Sequence, residues 1–294
     1  MDYALGIDVG ATNVKAVAMT PDGQTLRQDH FATRDGESAP WAEAVREYVR
    51  QVEAESGTAR WLGVACPGLV GRDQRAVTWM QGRVSAVQGL DWTDFLGRKE
   101  RAPVINDAHA ALLAETWVGA ARKVKNAILL TLGTGVGGAV LCDGNLLSGA
   151  IGRAGHLGHM SLDPEGPGDI VGTPGSLEDA IGDCTISARS AGRFETSGDL
   201  LQAVRAGDEH ATEIWLKSVK ALAAAIASII NCVDPEVVIL GGGVARAGRY
   251  LLDPLDAQLE QFEWRPLGGR VRVTLARLGE FAGALGAARN AMRI

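Results

Sequence analysis

Residues 127–142 read Ala127-Ile-Leu-Leu-Thr-Leu-Gly-Thr-Gly-Val-Gly-Gly-Ala-Val-Leu-Cys142. Within them, Gly133-Thr-Gly135-Val-Gly-Gly138 fits G-x-G-x-x-G, the spacing of a dinucleotide fingerprint. That fingerprint must open a helix, whose N-terminus then meets the pyrophosphate. Here the apolar run 127–132 reads as a strand, Ala139-Val-Leu-Cys142 reads as another, and Asp143-Gly144 signals a hairpin. A Rossmann site is therefore excluded. The glycines make a strand-to-strand turn, either a plain tight hairpin or one whose N–H groups cradle phosphate.

The same figure opens the chain. Tyr3-Ala-Leu-Gly-Ile-Asp-Val9 reads as a strand, Gly10-Ala-Thr-Asn13 as a turn and Val14-Lys-Ala-Val-Ala-Met19 as a second strand. Gly10 permits close backbone approach, Thr12 offers a hydroxyl and Lys15 an ammonium. Asp8, at a strand end, can hold magnesium through water. Two glycine turns in equivalent places favour the phosphate reading over the plain hairpin.

Outward from these turns, Pro21-Asp22-Gly23 marks a turn and 24–32 a third strand. A helix follows, capped by Ser38 with Pro40 in its first turn. Trp41, Val45, Tyr48, Val49 and Val52 share one face, and Gly57 ends it. A strand at 61–65 stops at Pro67-Gly68. A short helix at 92–97 leads to a strand at 103–105, and Asn106-Asp107 opens an Ala-rich helix over 108–121. After Arg122-Lys-Val-Lys125 the order restarts, with a third strand at 145–147 and an irregular stretch over 149–175. Helices are predicted at 177–194, 200–206 and 209–232, the last Ala-rich and buried. A strand at 237–240, a helix from Gly241-Gly-Gly243 to Phe262, a strand at 271–278 and a helix at 280–292 complete the chain. Both halves read βββαβαβα, a duplication of architecture without a repeat in sequence. The pattern predicts an N-terminal α/β lobe over 1–121 and a C-terminal α/β lobe over 122–279. The helix in 280–294 is expected to pack back on the first lobe. Facing turns make a cleft, a preferred ligand site.

The chain has 294 residues, enough for about two domains at ~150 residues each. Hydrophobic residues make up 46% and charged residues 22%, as in a soluble globular protein. With 35 acidic and 29 basic side chains, the net charge of -6 argues against nonspecific nucleic-acid binding. The 38 glycines are nearly twice the ~7% average, and imply many close backbone approaches. Cys66, Cys142, Cys184 and Cys232 are scattered without C-x-x-C, which fits buried thiols in a reducing compartment rather than a redox pair. No signal peptide is read at the N-terminus, and the apolar run 221–230 is too short to span a membrane. A cytoplasmic protein with no membrane or nucleic-acid partner is expected.

Pro103-Val-Ile-Asn106-Asp107 ends a strand and starts a helix, where α/β folds bind ligands. Asp107 is either the helix N-cap or a general base that takes a hydroxyl proton. Taken in order with the two glycine turns, this segment resembles the ROK family of sugar kinases, of the actin-like, Hsp70-like and hexokinase-like ATPase fold. Further matches are Cys66-Pro67-Gly68, Gly155-His156-Leu-Gly-His159, Gly175-Ser-Leu177-Glu178, Leu240-Gly-Gly-Gly-Val244 and Gly283-Ala-Leu-Gly-Ala287. The likeness runs from Leu5 to about Ala288.

The resemblance implies a two-lobed actin-like (ribonuclease H-like) fold, ATP and magnesium as cofactors, a sugar substrate and a homodimer. It places Asp8, Gly10, Thr12, Asn13 and Lys15 in one phosphate segment and Gly133, Thr134 and Gly135 in the other. Gly241, Gly242 and Gly243 lie near adenosine, and Asp8 is on magnesium through water. Asp107 becomes the base, with Gly68, Asn106, His156, His159 and Glu178 touching the sugar. The reaction implied is phosphorylation of a hexose hydroxyl, the 6-OH of glucose or a relative. Two departures stand out. His156 replaces the family's Glu, trading a double acceptor for one donor and one acceptor. The family's zinc-binding cysteines are Asp169, Val171 and Ser176, at +10, +12 and +17 from His159. Val cannot ligate, so no zinc is expected.

Three other readings compete. A DNA-binding repressor of the same family needs an N-terminal helix-turn-helix, for which Asp8 leaves no room. A catalytically weakened sugar-binding protein fits the departures but not intact Asp8, Lys15 and Asp107. An actin-like or Hsp70-like ATPase needs a longer chain. His30 and His210 read as surface residues and His109 as a packed helix residue. Trp79, Trp117 and Trp215 read as core, and Gln81 or Arg83 can reach substrate from a loop.

Overall fold

A computed structural model describes residues 2–36 and 39–294. The Ser38 cap lies outside the described residues. By its contacts the chain divides into two compact units. The first takes the chain up to Lys123 with Leu146–Ala154 and Arg277–Ile294; the second takes Val124–Asn145 and Gly155–Ala276.

The chain opens with β1 (Ala4–Val9), β2 (Asn13–Met19), β3 (Thr25–Ala32), α1 (Pro40–Ser56), β4 (Trp61–Cys66), β5 (Leu69–Val70) and β6 (Val77–Trp79). It goes on through α2 (Trp92–Phe95), β7 (Val104–Asn106) and α3 (Asp107–Trp117). The second run is β8 (Ala127–Leu132), β9 (Val136–Cys142), β10 (Asn145–Leu146), α4 (Leu177–Ile181), α5 (Ile186–Arg189), α6 (Ser197–Arg205), α7 (Glu209–Val233), β11 (Val237–Gly241), α8 (Arg249–Phe262) and β12 (Arg272–Leu275). It ends with α9 (Ala282–Ala291). The two main sheets have orders β3-β2-β1-β4-β7 and β10-β9-β8-β11-β12, the same topology twice. In each, an antiparallel hairpin carries the glycine turn and parallel strands follow. β1 is buried throughout, as a central strand must be, whereas edge strand β3 alternates toward solvent.

In the first unit, α1 buries Trp41, Val45, Val49 and Val52 in one core with Leu5, Ile7, Leu62 and Val64. Gly57 ends it at φ 81°, its N–H bonded to Glu53 O. On α9 the contact is backbone on backbone. A Cβ on Gly6 of β1 would lie 1.9 Å from Ala284 O, and one on Gly63 of β4 2.1 Å from Ala287 O. A Cβ on Gly286 would lie 1.7 Å from Ala110 O of α3. Glu115, fully buried on α3, closes the arrangement. Its Oε1 accepts from the N–H groups of Arg277 and Leu278 at 2.8 and 2.9 Å, and its Oε2 from Ala120 N–H at 2.7 Å. Three donors satisfy the buried carboxylate and stop α3 at Trp117, short of the predicted 121.

In the second unit, α7 forms the centre of the core. Ile214, Trp215, Val219, Leu222 and Ile226 pack with Leu130, Leu132, Val238 and Leu240. Over its 25 residues α7 is long and apolar enough to cross a membrane by length and composition, though only half of that stretch is buried here. The predicted helix at 177–194 breaks into α4, a 3-10 turn at Asp183–Thr185 and α5. The cause is the glycine turn, because Asp183 and Cys184 donate their N–H groups to Gly133 O and Thr134 O at 2.9 and 2.8 Å. α6 begins at Ser197 because Thr196 and Asp199 form a capping box. After Gly243 a short 3-10 turn, Val244–Ala247, precedes α8, with Gly248 between them at φ 60°.

The β5–β6 hairpin escapes the sequence reading; two- and three-residue strands carry no readable period. Trp79 on β6 is 43% exposed and is not core, whereas Trp215 is, with Nε1 donating to Tyr250 O at 2.8 Å. Trp117 is half-buried under the Arg289 guanidinium. Cys184 and Cys232 are exposed and Cys142 half-buried, so only Cys66 is the buried thiol expected.

Gly286→Ala should destabilise by ~3 kcal/mol or more, because its methyl would overlap the Ala110 carbonyl. Gly198→Ala, on the exposed face of α6, should instead be neutral or stabilising by up to ~1 kcal/mol. Urea midpoints of the two variants read the contrast; equal shifts would refute the backbone contact.

Candidate active site

In the first unit, Asp8 on β1 pairs with Lys15 on β2 in the antiparallel register. Asp8 is only 8% exposed. Burial, joined by the charge of Asp107 and opposed by Lys15, pushes its carboxyl up to about 7. Gly283 of α9 makes room for it, since a Cβ there would stand 2.5 Å from Oδ2. The turn beside it closes through Gly10 N–H to Asn13 O at 3.1 Å. Thr33 grips the turn from beyond β3. Its Oγ1 donates to Gly10 O at 2.7 Å and its N–H to Thr12 O at 2.8 Å. The sequence reading misses Thr33; its only signal is a hydroxyl one residue past the strand that pairs with β2. Thr12 is exposed, and Asn13 and Lys15 are half-buried.

β7 and α3 meet at Asn106-Asp107. The helix cap is Asn106, which corrects the alternative that Asp107 serves as cap. Asn106 Oδ1 accepts from the N–H groups of Ala108 and His109 at 3.0 and 3.2 Å, and its Nδ2 donates to Gly68 O at 3.2 Å. Gly68 itself sits at φ 92°, where a Cβ would be 2.5 Å from Trp79 O. Asp107 is the first helical residue, and its Oδ1 accepts from Ala108 N–H at 2.8 Å. Asp107 keeps an exposed edge, yet protein crowds its carboxyl elsewhere. Desolvation therefore pushes it above the usual carboxylate range, against hydrogen bonds from Ala108, its own N–H and Asn106 and the charge of Lys15. A raised carboxylate is a better base near neutral pH. His109 is 5% exposed and donates Nε2–H to Ala154 O at 3.0 Å, while burial lowers its pKa. It is a packed residue, as expected, with the added duty of pinning the segment before Gly155. Gln81 and Arg83 are exposed.

In the second unit, Glu178 on α4 reaches the glycine turn. Its Oε2 accepts from Val136 N–H at 2.9 Å and fills the place a Cβ on Gly135 would need, 2.1 Å away. The glycine at 135 thus answers first to a carboxylate. Gly133 N–H turns inward to Gly135 O at 2.9 Å, while Thr134 is exposed. Gly242 sits at φ 86°, and a Cβ there would be 2.2 Å from Leu132 O. Gly241 ends β11 and is buried, while Gly243 is exposed with open space beside it.

His156 and His159 are half-buried beside a 3-10 turn, Leu157–His159. His159 Nδ1 lies 2.8 Å from Asp169 Oδ2, and the Asp169 side chain is fully buried. Asp169 Oδ1 accepts from the N–H groups of Val171 and Thr173 at 3.0 and 2.9 Å. A nitrogen of His159 and single oxygens of Asp169 and Glu178 lie within 4.8 Å of one another. These donors do not fit the family's zinc. Asp169 is engaged at both oxygens and Glu178 at Oε2, Val171 has no donor atom, and Ser176 Oγ caps α4 at Asp179 N–H. Magnesium at Asp8 is a better fit, because a hard cation prefers carboxylate oxygen and would offset the charge shared by Asp8 and Asp107.

Folding raises the Asp8 pKa from the ~4 of an unfolded chain to about 7. The folded state thus holds this proton more tightly, so the group's contribution is full below pH ~4 and is lost as pH rises through the folded value. Without magnesium, Asp8→Asn should match wild type in stability near pH 4. Above neutral pH it should exceed wild type by a few kcal/mol, since each tenfold gain in proton affinity on folding is worth about 1.4 kcal/mol. Urea midpoints from pH 4 to 8 test this; a constant gap across the range would overturn it.

The ROK family profile matches residues 4–293. A glucokinase of Thermotoga maritima is 33% identical over 97% of this chain and 95% of its own. An N-acetylmannosamine kinase of Escherichia fergusonii is 30% identical over 97% of this chain and 96% of its own. The crystal structure of a ROK family glucokinase from Streptomyces griseus, in complex with glucose and AMPPNP, superposes with a TM-score of 0.80. It is 25% identical and covers 99% of this chain and all of that one. The doubled sheet topology and the ordered glycine turns have the same explanation as these likenesses: the chain belongs to the ROK family.

Proposed function

We propose that this chain, a carbohydrate kinase, transfers the γ-phosphoryl group of ATP to a hexose hydroxyl, the 6-OH of glucose or a related hexose. The observation that carries the reading is the division of labour at Asn106-Asp107. Asn106 takes the helix cap and holds Gly68, so the Asp107 carboxylate is left beside the cap, with its affinity for protons raised. In the forward step Asp107 accepts the hydroxyl proton, the hydroxyl oxygen bonds to the γ-phosphorus and ADP leaves.

Gly68, Asn106, His156, His159 and Glu178 supply the sugar contacts in this reading. Lys15, Thr12, Asn13 and the Gly10 backbone serve the phosphates from one turn, and Thr134 and Gly135 from the other, with Gly133 shaping that turn. Gly241, Gly242 and Gly243 serve the adenosine. Magnesium at Asp8, through water, would offset phosphate charge when bound. A cytoplasmic homodimer is part of the same proposal, and sedimentation would give its mass.

The substrate class follows from His156. Neutral imidazole donates once and accepts once, where a Glu would accept twice. A site built around particular hydroxyls rejects mismatched analogues strongly. Glucose should therefore be a weak substrate beside a sugar with an acceptor toward His156, such as an epimeric or N-acylated hexose. Both glucokinases and N-acetylmannosamine kinases stand among the relatives.

ADP release with ATP and magnesium across a panel of free sugars tests the activity. Sugar binding without release would instead favour a catalytically weakened sugar binder. Asp107→Asn should lower kcat by ~10²-fold or more while sugar still binds; turnover within a few-fold of wild type would remove the base assignment. His156→Glu should raise kcat/KM for glucose on the same panel. If wild type already prefers glucose and the variant loses every sugar, His156 simply fills the family's Glu role.

A further inference from the structure

The loop between His159 and Glu178 is closed by its own hydrogen bonds. Leu162 N–H reaches Gly175 O at 2.8 Å, Gly175 N–H reaches Pro167 O at 2.7 Å and Asp169 N–H reaches Thr173 O at 3.0 Å. Ser161 Oγ donates to Pro174 O at 2.7 Å. At the centre is Asp169, whose side chain is wholly buried and bonded on one oxygen to His159 and on the other to two N–H groups. A buried carboxylate with this many donors is a rigid acceptor.

We propose that Asp169 is a positioning residue for sugar binding: its bond to Nδ1 holds the His159 ring so that Nε2 accepts a hydrogen bond from a sugar hydroxyl, the work a metal would otherwise do in this loop. The inference rests on the sugar-kinase reading above. Its chemistry is that of tautomers. A carboxylate can only accept, so in the neutral ring Nδ1 carries the proton and Nε2 keeps its lone pair. Burial works against the charge on Asp169. Hydrogen bonds from His159, Thr173, Val171 and Ser176 outweigh it and hold the carboxyl below its usual range, so the acceptor persists at neutral pH. His159 is 29% exposed at its side chain and is open to a ligand. In the sequence, the family resemblance marks position 169 only as one of the places where a zinc cysteine is replaced.

The test compares wild type, Asp169→Ala and Asp169→Asn on the best sugar of the panel. Asp169→Ala should raise the sugar KM about tenfold or more, the usual scale for a lost charged hydrogen bond, with kcat changed far less. Asp169→Asn keeps an acceptor for the loop N–H groups and should recover part of the loss. Nitrogen-15 spectra of the ring should show the Nδ1–H tautomer in wild type and a mixture in Asp169→Ala. Zinc by elemental analysis should stay far below one per chain, with activity unchanged by a chelator. An unshifted KM in Asp169→Ala, an Nε2–H tautomer in wild type, or chelator-sensitive stoichiometric zinc would each overturn the proposal. Should wild type turn over no sugar at all, the sugar-kinase reading fails first, and the proposal with it.

Discussion

The docking of α9 against β1, β4 and α3 is the contact on which the first unit depends. It is made by carbonyl groups meeting glycines, with Leu285 packed beside them among Val17, Met19 and Ala114. Such an approach tolerates no Cβ at Gly6, Gly63 or Gly286, and it explains why most of α9 is Ala and Gly. Close approach brings dispersion contacts among backbone atoms that a layer of Leu or Ile would hold apart. It also sets the chemistry. Gly283 on the same helix borders Asp8, and Ala110, which Gly286 meets, lies one turn into the helix that begins with Asp107. Two carboxylates are placed by a helix that carries no catalytic group.

Buried carboxylates are handled in two opposite ways. Asp8 is left under-compensated, with another carboxylate near it and Lys15 as the opposing charge, and its proton affinity rises accordingly. Asp169 and Glu115 are surrounded by N–H donors and lie settled in the fold. The first arrangement suits a site that must meet a cation and a proton; the second suits groups that hold other groups still.

Much of this is legible in the sequence, for identifiable reasons. Strand periods and the glycine turns at 10–13 and 133–138 reveal the doubled sheet, because turns between paired strands tolerate few residue types. The face of α1 and its end at Gly57 follow from helical spacing. What escapes depends on partners distant in sequence. The break in the helix after α4 arises from bonds between 183–184 and 133–134, and the end of α3 from a carboxylate that also holds 277–278. Asn106 as cap, rather than Asp107, is a choice between neighbours with the same local preference. Gly135 reads as a phosphate residue, while the close contact that requires its hydrogen belongs to Glu178.

The first unit is assembled from three separate stretches of chain, and α9 is the last of them. In chain order β1 and β4 come before the second unit, and the helix that covers them comes after it. Until that helix docks, Gly6 and Gly63 present bare sheet backbone to water, and the apolar residues around them have no cover. The second unit, drawn from 124–145 and 155–276, needs no such late segment. Covering β1 and β4 joins Gly6 to Ala284 and Gly63 to Ala287, segments more than 220 residues apart, the kind of distant pairing that slows folding and leaves sheet surface for chaperones to guard.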